Sequence, residues 1–168
     1  RQAGSSVWVE GREMLMLASY SYLGLINRAE VNEAAAEAVK HYGTGAHGAR
    51  LLAGTFDDHR LLEQELAEFM EAEDAIVFSS GYMANLATIA ALVGRGDVVI
   101  GDELNHASIV DGCRYSEANF LTFPHNDVNA LEALLCRHAG SRTLDVVDAV
   151  YSMEGDIPPV TELVDLCG

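Results

Sequence analysis

The sequence predicts an α/β domain with a mainly parallel sheet and helices on its faces. Short apolar runs alternate with segments of helical period, and strands that alternate with helices run parallel because each helix returns the chain to the same edge. Several runs also end at polar segments, which is where parallel sheets bind their ligands. Four strands are predicted, at Ala75–Phe78, Asp97–Ile100, Phe120–Phe123 and Thr143–Val150.

The residues before this alternation follow a different pattern. Two apolar runs within residues 7–17 flank Gly11, which can supply the turn of a short hairpin. Asn27, followed three residues later by Glu30, resembles a capping box and predicts a helix that continues to about His41. Residues 43–54 are rich in glycine and too irregular for a helix or a strand.

Helices are predicted wherever apolar residues recur every three or four positions. Thr55 and Asp57 are candidate caps for the helix that follows them, and Asp127 is the candidate cap of a later one. The apolar positions of these helices are Leu62, Leu66, Phe69 and Met70; Met83, Leu86, Ile89, Ala90 and Val93; Ile109 and Val110; Leu131, Leu134 and Leu135; and the run 160–167.

Composition limits the classes of function. The chain has 168 residues, enough for one domain, and a formal charge of −16, which disfavours nucleic-acid and anionic-membrane surfaces. No apolar run is long enough for a membrane span, and residues 1–10 do not resemble a secretion signal. Three cysteines without C-x-x-C spacing indicate reduced thiols and a cytoplasmic protein, and the histidines lack zinc-ligand spacing, so no metal site is expected.

The stretch Gly43-x-Gly45-x-x-Gly48 satisfies the G-x-G-x-x-G pattern of dinucleotide-binding proteins. That fingerprint requires glycines directly after a strand and at the start of a helix. Here they follow a helix, and the next helical signal begins several residues beyond Gly48. We therefore interpret them as a loop whose backbone approaches another group closely.

A candidate anion site lies where the first strand meets a helix. Ser79 and Ser80 end the strand, Gly81 follows, and a helix begins at once. Free amides at a helix N-terminus bind phosphate well, Ser80 can add a hydroxyl donor, and Gly81 allows close approach. An ordinary strand-to-helix turn with a serine cap explains the same segment.

Two further polar segments follow later strands at the same predicted edge. His106 follows the second strand, where an imidazole can stack on a flat ring or transfer protons. Asp148 and Ser152 follow the last strand, where Ser152 can donate to a ligand oxygen and Asp148 can orient a neighbour. A capping histidine and an acidic turn are the alternatives. Together the three segments predict one pocket with a phosphate end and a flat-ring end.

Motifs along nearly the whole chain resemble the α-oxoamine synthases, which include aminooxononanoate synthase, aminoketobutyrate ligase, aminolevulinate synthase and serine palmitoyltransferase. The motifs are Ser19–Leu25, the glycine loop through Gly54-Thr55, Ser80-Gly81-Tyr82-x-Ala84-Asn85, Asp102-x-x-x-His106-Ala107-Ser108, His125-Asn126-Asp127 and Tyr151-Ser152-Met153-x-Gly155-Asp156. Any one of them is weakly specific, whereas the ordered combination is specific.

The resemblance implies a transferase of fold type I that depends on pyridoxal 5'-phosphate (PLP). It would condense an amino acid with an acyl thioester (acyl-CoA or acyl-carrier protein) and release carbon dioxide and an α-aminoketone. Residues 1–42 would form the N-terminal hairpin, arm and helix, and residues 43–168 an incomplete PLP-binding large domain. Members of this family are homodimers in which both subunits contribute to each active site. Residues 43–54 are therefore expected near the partner subunit's pocket or near the entry for the acyl group.

The resemblance also implies roles for individual residues. Gly81 and Tyr82 would bind the cofactor phosphate through backbone amides, beside the hydroxyl of Ser80. His106 would stack on the pyridine ring as the catalytic candidate, and Ser152 would donate to the phenolic oxygen. The remaining candidates are Asp148 for the cofactor, and Tyr20 and Asn85 for the substrate.

The sequence departs from the family pattern in two places. Tyr20 stands where the family has asparagine, which puts the usual amino-acid substrate in question. The lysine that holds PLP and the carboxylate that pairs with its ring nitrogen have no match here, because the only lysine, Lys40, lies in the alanine-rich helix. We expect a part of a longer enzyme; the alternatives are an inactive remnant or partner subunit, or another fold-type-I enzyme such as an aminotransferase or lyase.

Overall fold

The computed structural model describes residues 2–167, with side chains from Gly4 onward. Contacts divide the chain into two compact units, one up to Ala75 and one from Ile76 onward. The division after residue 42 concerns the domains of the whole protein and stays a prediction. Within residues 2–167, no helix has both the length and the apolar character needed to cross a bilayer.

The first unit contains a small antiparallel sheet and two helices. Its sheet has the order β1-β2-β3, and Val7 pairs with Met14 across the predicted hairpin. The hairpin turn is confirmed at Gly11, whose φ of 79° suits glycine. The elements are β1 (Gln2–Ala3), β2 (Ser6–Val9), β3 (Arg12–Leu15), α1 (Ala29–Tyr42) and α2 (Asp57–Phe69).

The predicted helix caps of this unit are wrong, although both helices are present. Helix α1 is capped by Arg28 without a side-chain cap hydrogen bond, and Asn27 has a left-handed φ of 63° before it. Helix α2 is capped by Phe56, whose amide donates to Nδ1 of His59 at 3.0 Å. Thr55 instead donates its hydroxyl to the Arg50 carbonyl oxygen, because the loop turns back on itself.

The glycine-rich loop contains the close approach that its composition suggests. A Cβ on Gly54 would stand 1.9 Å from the carbonyl oxygen of Gly48, so no side chain fits there. The apolar face of α2 is less buried than predicted: Phe69 is 81% exposed, and only Ala67 of this helix is buried. Periodicity therefore identified the helix but not its degree of burial.

The second unit is a parallel sheet in the order β5-β4-β6, with helices on both faces. The elements are α3 (Gly81–Leu92), β4 (Val98–Asp102), α4 (Ala107–Tyr115), β5 (Asn119–Phe123), α5 (Val128–Arg137), β6 (Thr143–Val146) and α6 (Val160–Cys167). As predicted, Asp127 caps α5, with its carboxylate accepting from the amide of Ala130 at 2.9 Å.

Two strand predictions need correction. Residues 75–78 form no strand, because β5 and β6 occupy both sides of β4 and this run joins neither in the part of the chain described. Strand β6 ends at Val146 rather than Val150, because the backbone beyond it bonds to the side chain of Asn105 instead of to β4.

The sheet separates two apolar cores, as alternation of side chains along β4 requires. Val99 faces α3 and α4, where the core residues are Ile89, Val93, Ile109 and Cys113. Val98 and Ile100 face α5 and α6, where they pack with Phe123, Leu131 and Leu163. Helices α3 and α4 approach closely at Gly112, where a Cβ would lie 3.0 Å from Cδ1 of Ile89. This packing fixes the helix ends that border the site.

Candidate functional site

The candidate site lies at the carboxyl edge of the parallel sheet, within the second unit. Strands β5, β4 and β6 run in one direction, so the segments that follow them emerge at the same edge. The segment after β4 carries His106, and the segment after β6 carries Asp148. Helix α3 reaches the same place through Tyr82, whose ring meets that of His106, and through Asn85, which bonds to Ser108.

The turn into α3 presents backbone amides to an anion. Ser80 caps the helix: its hydroxyl oxygen accepts from the amide of Met83 at 3.2 Å, and its carbonyl oxygen accepts from Ala84. The amides of Gly81 and Tyr82 lie in the first turn, where no acceptor exists within the helix, and none is found among residues 4–167. A Cβ on Gly81 would meet no atom within 4 Å, so this side is open. The donor set therefore fits a phosphate group.

The imidazole of His106 is held in a defined orientation. Its backbone amide donates to Oδ2 of Asp148 at 2.6 Å, which joins the segments after β4 and β6. Its Nδ1 accepts from the amide of Ser108 at 3.1 Å, so the neutral ring carries its proton on Nε2. The ring is exposed and remains available to a ligand.

A buried serine connects His106 to α3. Ser108 is 1% exposed, and its hydroxyl oxygen accepts from Nδ2 of Asn85 at 2.9 Å while it lies 2.7 Å from Nδ1 of His106. The hydroxyl can therefore accept from one partner and donate to the other. Asn85, a candidate substrate residue, is thus part of the support of His106, and its substrate contact stays a prediction.

The ring of Tyr82 lies beside the imidazole of His106, whereas its hydroxyl points to helix α4. The rings of Tyr82 and His106 meet edge-on, with centroids 6.5 Å apart. The phenol donates to the carboxylate of Asp111 on α4, and this hydrogen bond raises the pKa of Tyr82. Because the hydroxyl is occupied, Tyr82 is left with its ring and its free amide as ligand contacts.

Asn105, for which the sequence predicts no role, locks the two loops together. Its Nδ2 donates to the carbonyl oxygen of Val146 at 2.7 Å, and its Oδ1 accepts from the amide of Asp148 at 3.1 Å. Its side chain is buried, and it occupies the space that a side chain on Gly101 would need, since a Cβ there would lie 2.9 Å from Nδ2. The only sequence signal was its position beside His106.

The structure thus brings together six of the eight candidates: Ser80, Gly81, Tyr82, Asn85, His106 and Asp148. Ser152 is exposed in the segment that continues from Asp148, and within residues 4–167 it makes no hydrogen bond to any of these six residues. Tyr20 lies in the first unit, where it is 88% exposed. The binding roles of all eight residues stay predictions.

Several α/β folds share a parallel sheet covered on both faces with a site at its carboxyl edge, and the fold of this chain is that of the type I PLP-dependent enzymes. The family model "aminotransferase class I and II" matches residues 12–167. The chain therefore belongs to the aminotransferase class I and II family, as its resemblance to the α-oxoamine synthases implied.

Within this family, the chain is similar to proteins named 8-amino-7-oxononanoate synthase. An 8-amino-7-oxononanoate synthase from Geobacter sulfurreducens is 55% identical over 164 residues, which are 97% of this chain and 42% of that protein. A second synthase of the same name, from Herminiimonas arsenicoxydans, is 44% identical over 163 residues, again 97% of this chain and 42% of that protein. The chain thus spans about two fifths of the relatives it matches.

Solved structures agree with this placement. The structure of Sphingomonas wittichii serine palmitoyltransferase superposes with a TM-score of 0.94 at 41% identity, over 98% of this chain and 41% of that one. An 8-amino-7-oxononanoate synthase from Francisella tularensis gives 0.75 at 28% identity, over 89% of this chain and 41% of that one. A serine palmitoyltransferase from S. paucimobilis that matches equally well contains a PLP–myriocin adduct.

Proposed function

We propose that the complete natural chain containing this sequence binds PLP and condenses an amino acid with an acyl thioester, releasing carbon dioxide and an α-aminoketone. The observation that supports this best is the juxtaposition of two features at one sheet edge. They are the free amides at the start of α3 and the fixed imidazole of His106. The names of the relatives support the same class of reaction.

The phosphate of PLP would be held by the amides of Gly81 and Tyr82, with the helix dipole of α3 favouring its negative charge. Ser80 has a second role available, because its hydroxyl proton remains free while its oxygen caps the helix. Three donors from one turn match the acceptor oxygens of a phosphate.

His106 would cover the flat ring of the cofactor and hold a proton at Nε2. Its orientation comes from Asp148 on the backbone and from Ser108 on Nδ1. Ser152 would donate to the phenolic oxygen. When bound, PLP supplies an electron sink for the electron pair released at the substrate carbon. The residues of this chain bind and orient the ring and exclude water from one of its faces.

The substrate contacts proposed for this chain are Tyr20 and Asn85. Nδ2 of Asn85 is engaged with Ser108, so a substrate donor would meet its Oδ1. Tyr20 is exposed and would act on the amino acid, which makes it the residue to exchange for asparagine in tests of substrate choice.

We assign activity only to the complete natural chain because no lysine in this sequence matches the one that binds the cofactor. Catalysis by PLP requires such an amine. Lys40, the only lysine in the sequence, is exposed on α1 and pairs with Glu37 at 2.5 Å. A second candidate function is a non-catalytic partner subunit of a synthase of this family.

We further propose a cytoplasmic homodimer whose site is shared across the interface. Exposed leucines in the glycine loop support an interface there: Leu51 is 95% exposed and Leu52 is 85% exposed. This loop would reach the partner's pocket or the entry of the acyl group. Analytical ultracentrifugation of the complete natural chain, with Leu51 and Leu52 exchanged for serine, tests the dimer.

The phosphate assignment is tested by titrating the complete natural chain with PLP. In Gly81→Val, the added side chain fills the approach to the amides, so affinity should fall at least about tenfold, the loss expected for one hydrogen bond to a charged group. Gly140→Val is the matched control, because a Cβ on Gly140 also meets nothing within 4 Å. Equal PLP affinity in Gly81→Val and the unaltered chain would refute the assignment.

The reaction is tested by product analysis with glycine, serine or alanine and an acyl thioester. Only the proposed condensation releases carbon dioxide and free thiol together. Turnover without both products would favour an aminotransferase or a lyase. A complete natural chain that binds no PLP but copurifies with a catalytic relative would favour the partner subunit.

A further inference from the structure

A second polar cluster lies at the same sheet edge, and none of the proposed cofactor contacts uses it. We call it the His125 cluster; it consists of Asp102, His125, Asn126 and Asp156. Asp102 ends β4, His125 and Asn126 follow β5, and Asp156 ends the segment after β6. The cluster therefore joins the ends of all three strands.

The imidazole of His125 is placed between two carboxylates. Its Nδ1 lies 3.0 and 3.1 Å from the two carboxylate oxygens of Asp102, and its Nε2 lies 2.9 Å from Oδ2 of Asp156. Carboxylates only accept hydrogen bonds, so both carboxylates can accept from the ring only when both of its nitrogens carry protons. In the neutral ring with its proton on Nδ1, Nε2 can accept from Nδ2 of Asn126, 3.1 Å away, and the bond to Asp156 is lost. The geometry thus suits an imidazolium, with one N–H for each carboxylate.

Asp102 is the fixed end of this arrangement. Its carboxylate is 1% exposed and accepts from the amides of Leu104 and Asn126, both at 2.8 Å. Burial alone would raise the pKa of Asp102, but these two amides and His125 outweigh it and lower the pKa. Asp102 therefore stays ionised, and His125 is its only ion-pair partner within residues 4–167.

The other end of this arrangement is the segment Tyr151–Asp156, which carries Ser152. The amide of Tyr151 donates to the carbonyl oxygen of Asp156 at 3.0 Å, so the two ends of the segment are tied to each other. Both ends contact His125: the ring of Tyr151 meets the imidazole edge-on at 4.5 Å, and Asp156 accepts from Nε2. Asn126 adds a second bond to Asp156, at 3.0 Å. Tyr151 is 1% exposed and is therefore also held by its own packing, whereas the Asp156 end is held by His125 and Asn126.

We propose that His125 is a positioning residue that clamps the Ser152-bearing segment onto Asp102, and that the clamp closes when the imidazole is protonated and loosens when it is neutral. The proposal rests on the proposed function in so far as Ser152 contacts the cofactor. His125 itself touches no assigned cofactor group. It acts by holding Asp156 against the buried ring of Tyr151, and through this segment Ser152.

The pH dependence follows from the groups that face His125. These are the carboxylates of Asp102 and Asp156, the carboxylate of Glu103, which accepts from the His125 amide at 3.2 Å, and the phenol of Tyr151. Hydrogen bonds to Asp156 and then Asp102 raise the pKa of His125 above its usual 6.5. Burial raises the pKa of Tyr151, so that phenol stays neutral throughout this range.

The raised pKa of His125 determines whether the clamp is stronger at acidic or at alkaline pH. A histidine whose pKa is higher in the folded than in the unfolded chain contributes its full stabilisation below the unfolded value. The contribution is lost as the pH rises through the folded value. The clamp is thus closed at mildly acidic pH and opens on the alkaline side of 6.5.

The first test measures hydrogen exchange in the complete natural chain without PLP. The amides of Tyr151 and Gly155, which both bond within the segment, report on the clamp. His125→Phe keeps the ring against Tyr151 but removes both N–H donors, so these amides should exchange at least about tenfold faster at pH 6, the size expected for lost charge-assisted bonds. His138→Phe, the same change at the end of α5, should leave them unaltered.

The pH profile separates clamping from a merely structural role. In the unaltered chain, exchange of these two amides, corrected for the intrinsic rate, should quicken above the pKa of His125. In His125→Phe and in His125→Gln the step should vanish, with His125→Gln slower than His125→Phe because one neutral donor remains. A step that persists in both variants, or unchanged exchange in His125→Phe, would overturn the proposal.

A PLP titration connects the clamp to Ser152. If Ser152→Ala weakens PLP binding, His125→Phe should weaken it by a similar factor, and the double variant should add little. Weaker binding in Ser152→Ala alone would overturn the positioning role while leaving the proposed function intact. Full affinity in Ser152→Ala would overturn the Ser152 contact and this inference with it.

Discussion

Replacing Asn105 with alanine should destabilise the second unit and weaken the site at the same time. The side chain makes two hydrogen bonds to backbone groups, to the Val146 carbonyl oxygen at 2.7 Å and from the Asp148 amide at 3.1 Å. Asn105 is 8% exposed, so water cannot readily replace either bond. The variant leaves a carbonyl oxygen and an amide without their partners.

The magnitude follows from these two orphaned groups. Each buried polar group that loses its partner costs about 1–3 kcal/mol, so Asn105→Ala should lower the free energy of unfolding by about 2–4 kcal/mol after partial relaxation. Asn105→Asp keeps the shape and the acceptor for Asp148. It directs an oxygen at the Val146 carbonyl, however, so its loss should be at least as large.

The assay is urea unfolding of the complete natural chain, followed by PLP titration of the folded fraction. Asn119→Ala, at the exposed amino end of β5, is the matched control and should stay within about 0.5 kcal/mol. Because the Asp148 amide and carboxylate position the segment that orients His106, PLP affinity should also fall in Asn105→Ala. A loss below about 0.5 kcal/mol for Asn105→Ala would refute the view that this side chain locks the two loops.

Three further outcomes follow from single groups. Asp127→Ala removes the cap of α5 and should cost about 1 kcal/mol in urea unfolding, whereas Asn129→Ala in the first turn should not. Burial raises the pKa of Asp145 to about 6. The neutral carboxyl therefore contributes stability that is complete below about pH 4 and is lost as the pH rises to about 6. Asp145→Asn should stabilise the chain by about 1–3 kcal/mol at pH 8 and not at pH 4. Equal effects at both pH values would contradict that assignment. Burial also raises the pKa of the Cys113 thiol to about 11, so iodoacetamide should label exposed Cys136 in the native chain and Cys113 only after unfolding, as mass spectrometry of the peptides would show.

Much of the second unit could be predicted because its signals are local. Apolar residues at helical spacing gave α3, α4 and α5, and short apolar runs gave β4 and β5 close to their ends. The strand predicted at residues 75–78 failed for the opposite reason. An apolar run becomes a strand only when another strand offers its hydrogen bonds, and the sequence alone does not say which runs find partners.

Some residues of the candidate site could likewise be predicted from the sequence, and others could not. The serine and glycine before α3 and the histidine after β4 carry their chemistry in their residue types and positions, so the sequence identified them. Asn105 and His125 could not be assigned roles from sequence, because an asparagine or a histidine in a loop has many uses. Their roles depend on partners 41 and 31 residues away, Val146 and Asp156.

The sequence by itself determined the alternation of strands and helices, the resemblance to a family and the three polar segments at strand ends, because these depend on residue type and short-range spacing. Only the tertiary structure decided that β4 lies between β5 and β6. It also decided that Asp102 is buried beneath His125, and that Asn105 joins two loops. Those features are pairings between distant parts of the chain, and pairing is settled by packing and hydrogen bonding across the sheet.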